Sequence, residues 1–526
     1  TPAIACPTQP TQPAGSGAPA LVKFAGRCYT SAYNQGFGPL RFQFNTEDYN
    51  LFVQDDWRFN PRLTLNLGVR YEYEALPKPF LGNPFALNPQ RPGLLTSQTL
   101  SLPNDRNNFG PRLGFAWDIT GDGRNSLRGG YGIYFGRIIN STILNSLTNT
   151  GAPGGQFQSS VNPTITQAVV VGGKPFNINV VNPISPNFPN ILTSAPAGAT
   201  AIQFFRPGFQ NPLIQQGDLV FEHEVAKNTV VSASLLLSRG SHLPTFIDQN
   251  LNRPTTTFTY SITDGPFAGQ TLTVPFYTGN RPNTNFAAMT EIDDIISSKY
   301  IAFVLQAERR LTNGLQFSAS YTRSKSTDTG QGSATFTDTN DVYDPFNPGL
   351  DNGRSSFDIP NKFVASAIWN PTPFGTGSSN AARMILNGWT IAPIFSYYSG
   401  VPLNPTVSGS IPGGTAGGVN GSCSSGCFTG GNRFALVPRN AYRLPRIVNT
   451  DLRVSRRFHL RETMNLEVLG EMFNIFNRTQ VTGENAGIYR VSGSTLLFQT
   501  NFQQINAAGG SLFRERQVQL AVRFEF

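Results

Sequence analysis

Leu63-Thr-Leu-Asn-Leu-Gly-Val-Arg-Tyr-Glu-Tyr73 carries Leu63, Leu65, Leu67, Val69, Tyr71 and Tyr73 at its odd positions, with Thr64, Asn66, Gly68, Arg70 and Glu72 between them. Successive side chains of a β-strand point to opposite faces, so this segment presents one face fit for lipid and one fit for water. The C-terminus repeats the pattern: Val518, Leu520, Val522, Phe524 and Phe526 alternate with Gln517, Gln519, Ala521, Arg523 and Glu525. Comparable stretches lie near 48–58, 109–118, 126–136, 217–225, 229–238, 300–309, 314–324, 360–369, 388–398, 446–458 and 463–474, which makes about thirteen strands.

The connections between these strands are sorted by length. Short ones at 59–62, 120–124, 226–228, 311–314, 371–387 and 459–462 alternate with long Gly/Pro/Asn-rich ones at about 75–108, 138–214, 239–298, 325–357, 400–445 and 475–511. Short periplasmic turns, long extracellular loops and ten-residue alternating segments are the sequence signature of an antiparallel transmembrane β-barrel. A soluble sandwich has no reason to sort its loops onto opposite ends. Aromatic residues near strand ends (Trp57, Tyr71, Tyr73, Trp117, Tyr131, Tyr134, Trp369, Trp389, Tyr397, Tyr398) fit the interfacial girdles of such a barrel.

Composition narrows the remaining classes. Only 13 % of the 526 residues are charged, about half the fraction in ordinary soluble domains. The 52 Gly and 39 Pro oppose a mostly helical protein, and 41 Phe with 16 Tyr supply more aromatic surface than a disordered chain carries. Apolar runs such as Tyr300 to Leu305 fall far short of the ~20 residues a membrane-spanning helix requires, in keeping with a mean hydropathy of -0.21. The net charge is +9, but the 33 Arg and seven Lys are scattered, which argues against nucleic acid as a partner.

The ordered set of motifs resembles the barrel of TonB-dependent outer-membrane transporters, specifically the Oar-like branch. It comprises Tyr49-Asn-Leu-Phe-Val-Gln-Asp-Asp-Trp57 with Leu63 to Glu72, then Asn108-Phe-Gly-Pro-Arg-Leu-Gly-Phe-Ala-Trp-Asp118 and Leu127-Arg-Gly-Gly-Tyr-Gly-Ile-Tyr134. Asn211-Pro-Leu-Ile-Gln215, Ser238-Arg-Gly-Ser-His-Leu243, Phe357-Asp-Ile-Pro-Asn-Lys-Phe363, Asp451-Leu-Arg-Val-Ser-Arg-Arg-Phe458 and Glu471-Met-Phe-Asn-Ile-Phe-Asn477 follow, ending on Phe526 as a C-terminal barrel signal. The resemblance implies a place in the outer membrane of a Gram-negative bacterium. Membrane lipid and the barrel-assembly machinery would be partners, and TonB a partner only of a full-length parent carrying a plug. The substrate stays open.

Against that family, residues 1–45 read as an extracellular-loop remnant and 46–526 as the C-terminal part of the barrel, with thirteen or fourteen of an expected 22 strands. The expectation is either an open curved sheet or a smaller barrel closed by residues 39–45 as a fourteenth strand, without TonB-driven transport by this chain alone. A passive pore, a surface adhesin and a soluble secreted β-sandwich binding module are the alternatives.

Candidate site residues follow from the faces. Arg70, Glu72, Arg112, Arg128, Glu222, Glu308, Arg453, Glu467, Arg523 and Glu525 fall on the water-facing side and are read as a hydrated charge network in the lumen. Cys423-Ser-Ser-Gly-Cys427 lies in a long outer loop and suits a local disulfide; Cys6 and Cys28 are a second pair. The three His (His223, His242, His459) have neither another His nor a Cys at ligand spacing, and no nucleophile elbow is present, so neither metal cofactor nor enzymatic activity is expected. Asp338 to Asp351 has the residue types to hold Ca²⁺ but lacks ordered ligand spacing, and Asp and Asn serve turns equally well.

Overall fold

The computed structural model describes residues 4–5, 27–28, 33–38, 41–155, 157–161, 164–171, 174–181, 193, 200–277, 281–330, 342–373, 387–409, 433–461, 464–510 and 514–526. Thirteen strands form one wall, each paired antiparallel with its neighbour in chain order. They are β1 (Glu47–Asn60), β2 (Leu63–Ala75), β3 (Phe109–Asp118), β4 (Asn125–Phe135), β5 (Leu213–Ala226), β6 (Thr229–Asp248), β7 (Met289–Thr312), β8 (Leu315–Asp328), β9 (Asn361–Trp369), β10 (Trp389–Tyr398), β11 (Ile447–Arg461), β12 (Met464–Phe473) and β13 (Gln517–Glu525). All thirteen alternating segments read from the sequence are present.

Turn chemistry explains why one end of the wall is tight. Asn313 and Gly314 both take positive φ, 52° and 72°, the conformation of a two-residue hairpin turn whose twist matches its strands. At the tight turn between β3 and β4, the Asp118 carboxylate accepts N–H bonds from Gly121 (2.9 Å) and Gly123 (3.0 Å).

Register carries the apolar face across the wall. Leu67, Leu113, Tyr131, Gly217, Leu237 and Ile301 are successive cross-strand partners, and so are Phe115, Gly129, Leu219, Leu235 and Phe303. Apart from Phe115, which is half-buried, their large side chains stand exposed. A continuous exposed apolar band is unstable in water and is what hydrocarbon requires. The opposite face carries Ser232, Ser234 and Ser238 on β6 and Ser318, Ser320, Thr322 and Ser324 on β8.

Two aromatic expectations are corrected by this register. Tyr134 and Tyr398 lie on the polar face, where Arg112 sits 4.8 Å above the Tyr134 ring and the Lys362 ammonium 5.5 Å from the Tyr398 ring. Tyr397 faces lipid, and a step of one residue along a strand reverses the face.

Among the described residues, β1 and β13 are paired on one side only, and residues 41–46 form no strand, so the wall is an open sheet and not a barrel closed by a fourteenth strand. The reading of residues 1–45 as loop is also incomplete. Tyr33–Phe37 is a strand paired with Phe157–Val161, and Ile4–Ala5 pairs with Arg27–Cys28. Pairing here is by backbone, and a five-residue segment apolar only at its ends shows no alternation.

The long loops build a second layer over the open end. Thr271–Phe276, Thr256–Ile262, Thr495–Phe498, Gly487–Ser492 and Thr406–Ser408 make a five-stranded sheet in that order, with two parallel pairs. Tyr260, Ile262, Leu272, Val274, Val407, Phe434, Ile488, Tyr489 and Leu496 form its buried core. Helix α1 (Asn140–Thr148) places Ile143 and Leu147 in a second core with Phe205, Phe209, Phe246 and Ile292. β6 and β7 run on past the band into this layer, where most of Met289–Ile296 is buried.

Candidate ligand vestibule and polar face

All ten predicted charges stand on the wall's polar face, but the structure distributes them among separate groups. Arg70 donates to Glu72 at 2.6 Å and to Asn50 at 2.9 Å. Arg128 pairs with Glu222 at 2.5 Å, and the Ser126 hydroxyl donates to the same carboxylate at 3.1 Å. Arg112 lies over Tyr134, and Glu308 accepts from Gln306. At the far edge Glu467 lies 3.4 Å from Arg453 and 3.8 Å from Arg523, Arg453 also reaches Glu471 at 3.6 Å, and Glu525 pairs with Arg457. The β2–β5 and β11–β13 groups are separated by the hydroxyl-rich polar faces of β6 and β8. Each pair keeps water access, which limits its stabilisation to about 0–1 kcal/mol.

The enclosed space is elsewhere, where the outer ends of the strands meet the loop layer. A cavity of about 450 Å³ lies there, walled by Ile138, Phe205, Phe209, Phe246, Ile292 and Ile296, with Arg137 and Asp328 also in its lining. Phe357 borders it and is 70 % exposed. Arg137 is held in place by Asp48 at 3.0 Å and Glu74 at 3.5 Å. Asp328 is bound by the buried Arg439. The cavity therefore offers a mostly apolar surface bordered by two charges, Arg137 and Asp328, that are both paired within the protein.

Buried charge clamps hold this vestibule, and the sequence reading missed them. Glu291, fully buried, accepts from Arg91 at 2.6 Å, Gln98 at 2.7 Å and Asn88 at 3.1 Å. Arg206 bridges Asp293 at 2.9 Å and Asp294 at 3.1 Å, and His242 lies 3.1 Å from Asp294. Their hydrogen bonds to Glu291 and Asp293 hold Arg91 and Arg206 firmly protonated. Removing one partner from such a set leaves an uncompensated buried charge, so each clamp fixes the strand ends around the cavity. The available signal was Glu291-Ile-Asp-Asp294, a break in the alternation of a strand that continues on both sides.

The acidic loop is satisfied by protein groups. Asp344 accepts from the Tyr277 hydroxyl at 2.7 Å, and Asp351 from the Tyr343 N–H at 2.6 Å with Arg433 3.4 Å away. Burial pushes the Asp351 carboxyl up to about 6 despite these donors. Among the described residues no group of three or more His, Cys, Asp or Glu is placed to hold a metal ion. Asp338 and Asp341 lie outside the described residues, as do Cys6, Cys423 and Cys427. Phe526 packs on Phe524 with ring centroids 6.0 Å apart.

Comparison with known proteins gives a match of residues 11–519 to the outer membrane beta barrel domain. No curated protein matches. Similar solved structures include the outer membrane transporter YddB from Escherichia coli, 12 % identical, covering 91 % of this chain and 45 % of that one with a TM-score of 0.45. The siderophore receptor PiuA from Acinetobacter baumannii is 12 % identical, with 91 % and 43 % covered and a TM-score of 0.40. The ferripyoverdine receptor of Pseudomonas aeruginosa is 9 % identical, with 91 % and 39 % covered and a TM-score of 0.41. The chain spans less than half the length of each.

Proposed function

The chain belongs to the outer membrane beta barrel domain family, and on that premise we propose that it supplies wall and vestibule for a TonB-dependent transporter of the Oar-like branch. The motif series from Tyr49 to Phe526 supports that branch. The observation that carries a transport role is the roof: a folded loop layer stands over the outer end of the wall, and its helix-bearing core borders the cavity of about 450 Å³. A passive pore works against such a cover, whereas a receptor that captures a solute before moving it inward needs one.

The mostly apolar lining, with its bordering charges already paired, fits a small molecule with an aromatic or aliphatic body. In this reading the polar-face charges line a hydrated lumen and Phe526 marks the strand read by the assembly machinery. The unpaired edges of β1 and β13 would leave N–H and C=O groups bare in hydrocarbon, so this sheet is read as one part of a larger closed wall. An uptake assay tests the proposal: cells expressing the protein as its gene encodes it should accumulate solute only with TonB present and the proton-motive force intact. Accumulation that persists after TonB deletion and uncoupling would establish the passive pore instead.

A further inference from the structure

Four cations stand on the lipid-facing side of the wall at its outer end. By register parity, Arg239 on β6, Lys299 on β7, and Arg323 and Lys325 on β8 share the face of Leu235, Leu237, Ile301, Phe303 and Tyr321. On each strand the apolar run ends and a base follows on the side of the long loops: Leu237 then Arg239, Ile301 then Lys299, Tyr321 then Arg323 and Lys325. All four are exposed. Within 229–241, 297–311 and 315–327 no Asp or Glu stands on this face, Glu308 being on the opposite one.

Two of these cations oppose each other directly. Arg239 and Lys299 are cross-strand partners, and like charges in that relation repel. Lys325 lies opposite Ile301, and Arg323 opposite Phe303. Arg323 is oriented by Asn361, to whose Oδ1 it donates at 3.0 Å; the Tyr321 hydroxyl shares that acceptor at 2.9 Å. None of the four forms an ion pair among the described residues. Beside them runs a groove of about 650 Å³ with Gly217 in its lining and Tyr131, Leu237 and Ile301 around it. Its one carboxylate, Asp328, is taken by Arg439.

We propose that Arg239, Lys299, Arg323 and Lys325 bind the phosphate groups of an anionic lipid of the outer leaflet, with part of its acyl portion in the groove beside Gly217. Phosphate oxygens bridging Arg239 and Lys299 relieve their repulsion, and guanidinium forks suit phosphate geometry. Clustered bases at a membrane interface hold anionic headgroups in the same way. A free phosphate ion would satisfy the charges but leave the groove unfilled, so the occupant is a lipid.

The test uses the purified protein in delipidated detergent micelles and native mass spectrometry with two probes of equal acylation, a diphosphorylated glycolipid and its dephosphorylated analogue. The protein should retain the phosphorylated probe about tenfold better. Arg239→Gln/Lys299→Gln/Arg323→Gln/Lys325→Gln should abolish that preference, whereas Arg124→Gln/Lys227→Gln at the short-turn end should leave it intact. Should the fourfold variant fail to show the β-sheet circular dichroism of the unsubstituted protein, Lys299→Gln alone, which removes the like-charge contact, should still reduce the preference about threefold. Equal retention of both probes, an unchanged preference in the folded variants, or full displacement by millimolar inorganic phosphate would each overturn the proposal.

Discussion

The wall and the loop layer are both β-sheet, yet they are held together by opposite means. In the wall each strand separates lipid from water, so every second residue is apolar and the pairing follows chain order. In the layer strands such as Thr256–Ile262 and Thr271–Phe276 bury one face in a protein core and leave the other in water, neighbours come from loops far apart in sequence, and parallel pairs appear. Alternation thus reports a difference between the two faces of a sheet, lipid against water in the wall and core against water in the layer, and it disappears along Met289–Ile296, where most of the strand is buried on both faces.

The sharpest way to separate the two regions is to hollow out the layer. The Tyr489 ring is fully buried, 5.1 Å from Phe434 and 5.8 Å from Phe498. Tyr489→Ala should cost the layer about 3–5 kcal/mol. Limited proteolysis should then cut within 256–276 and 487–498 while the heat-modifiable gel shift of the wall persists. Loss of that shift would show that the regions fold as one unit.

A charge placed in the wall tests the other half. Leu235 stands between Leu219 and Phe303 in the apolar band, so Leu235→Arg should cost about 2–4 kcal/mol in urea unfolding from bilayers. Ser234→Arg, one residue away on the polar face, should cost less than about 1 kcal/mol. Equal losses would refute the assignment of faces.

Acidity should act on the layer and spare the wall. With burial holding the Asp351 carboxyl at about 6, against roughly 4 unfolded, the folded layer binds the proton more tightly than the unfolded chain. Its contribution is therefore fully present below pH 4 and is lost as pH rises through 6, an effect of about 1–3 kcal/mol. Hydrogen exchange at 342–358, corrected for intrinsic rates, should be slower at pH 5 than at pH 7. Asp351→Asn should remove the difference. The smallest effect is expected at the polar face: Arg128→Gln breaks the exposed pair with Glu222 and should change wall stability by less than about 1 kcal/mol in the same urea assay.

Leu63 to Tyr73 made β2 legible because lipid and water dictate every residue of it, and Asn313-Gly314 made its kind of turn legible through backbone geometry. Outside the band that logic fails. Met289 to Ile296 continues β7, but burial on both faces erases its alternation, and the Glu291 clamp depends on Arg91 and Gln98, about two hundred residues away. Tyr134 and Tyr398 were assigned to a girdle from position along the strand, when the face is set by parity. The ten polar-face charges were legible as a set, but their grouping into pairs required the register. The vestibule had no signal of its own, because Phe205, Phe209, Phe246 and Ile292 converge only once the strands are ordered.

The five-stranded loop sheet also fixes an order of events. Ser261 and Thr495 sit side by side although 234 residues separate them, and Tyr489 reaches back 222 residues to the backbone of Phe267. Closing loops of that length costs chain entropy before any contact rewards it, and the pairing of Thr256–Ile262 with Thr495–Phe498 reaches across most of the wall's strands. This sheet of the cover therefore forms late in folding, after the wall strands that tether its loops have paired. Until it closes, the core of Tyr260, Phe434 and Tyr489 stands open to water.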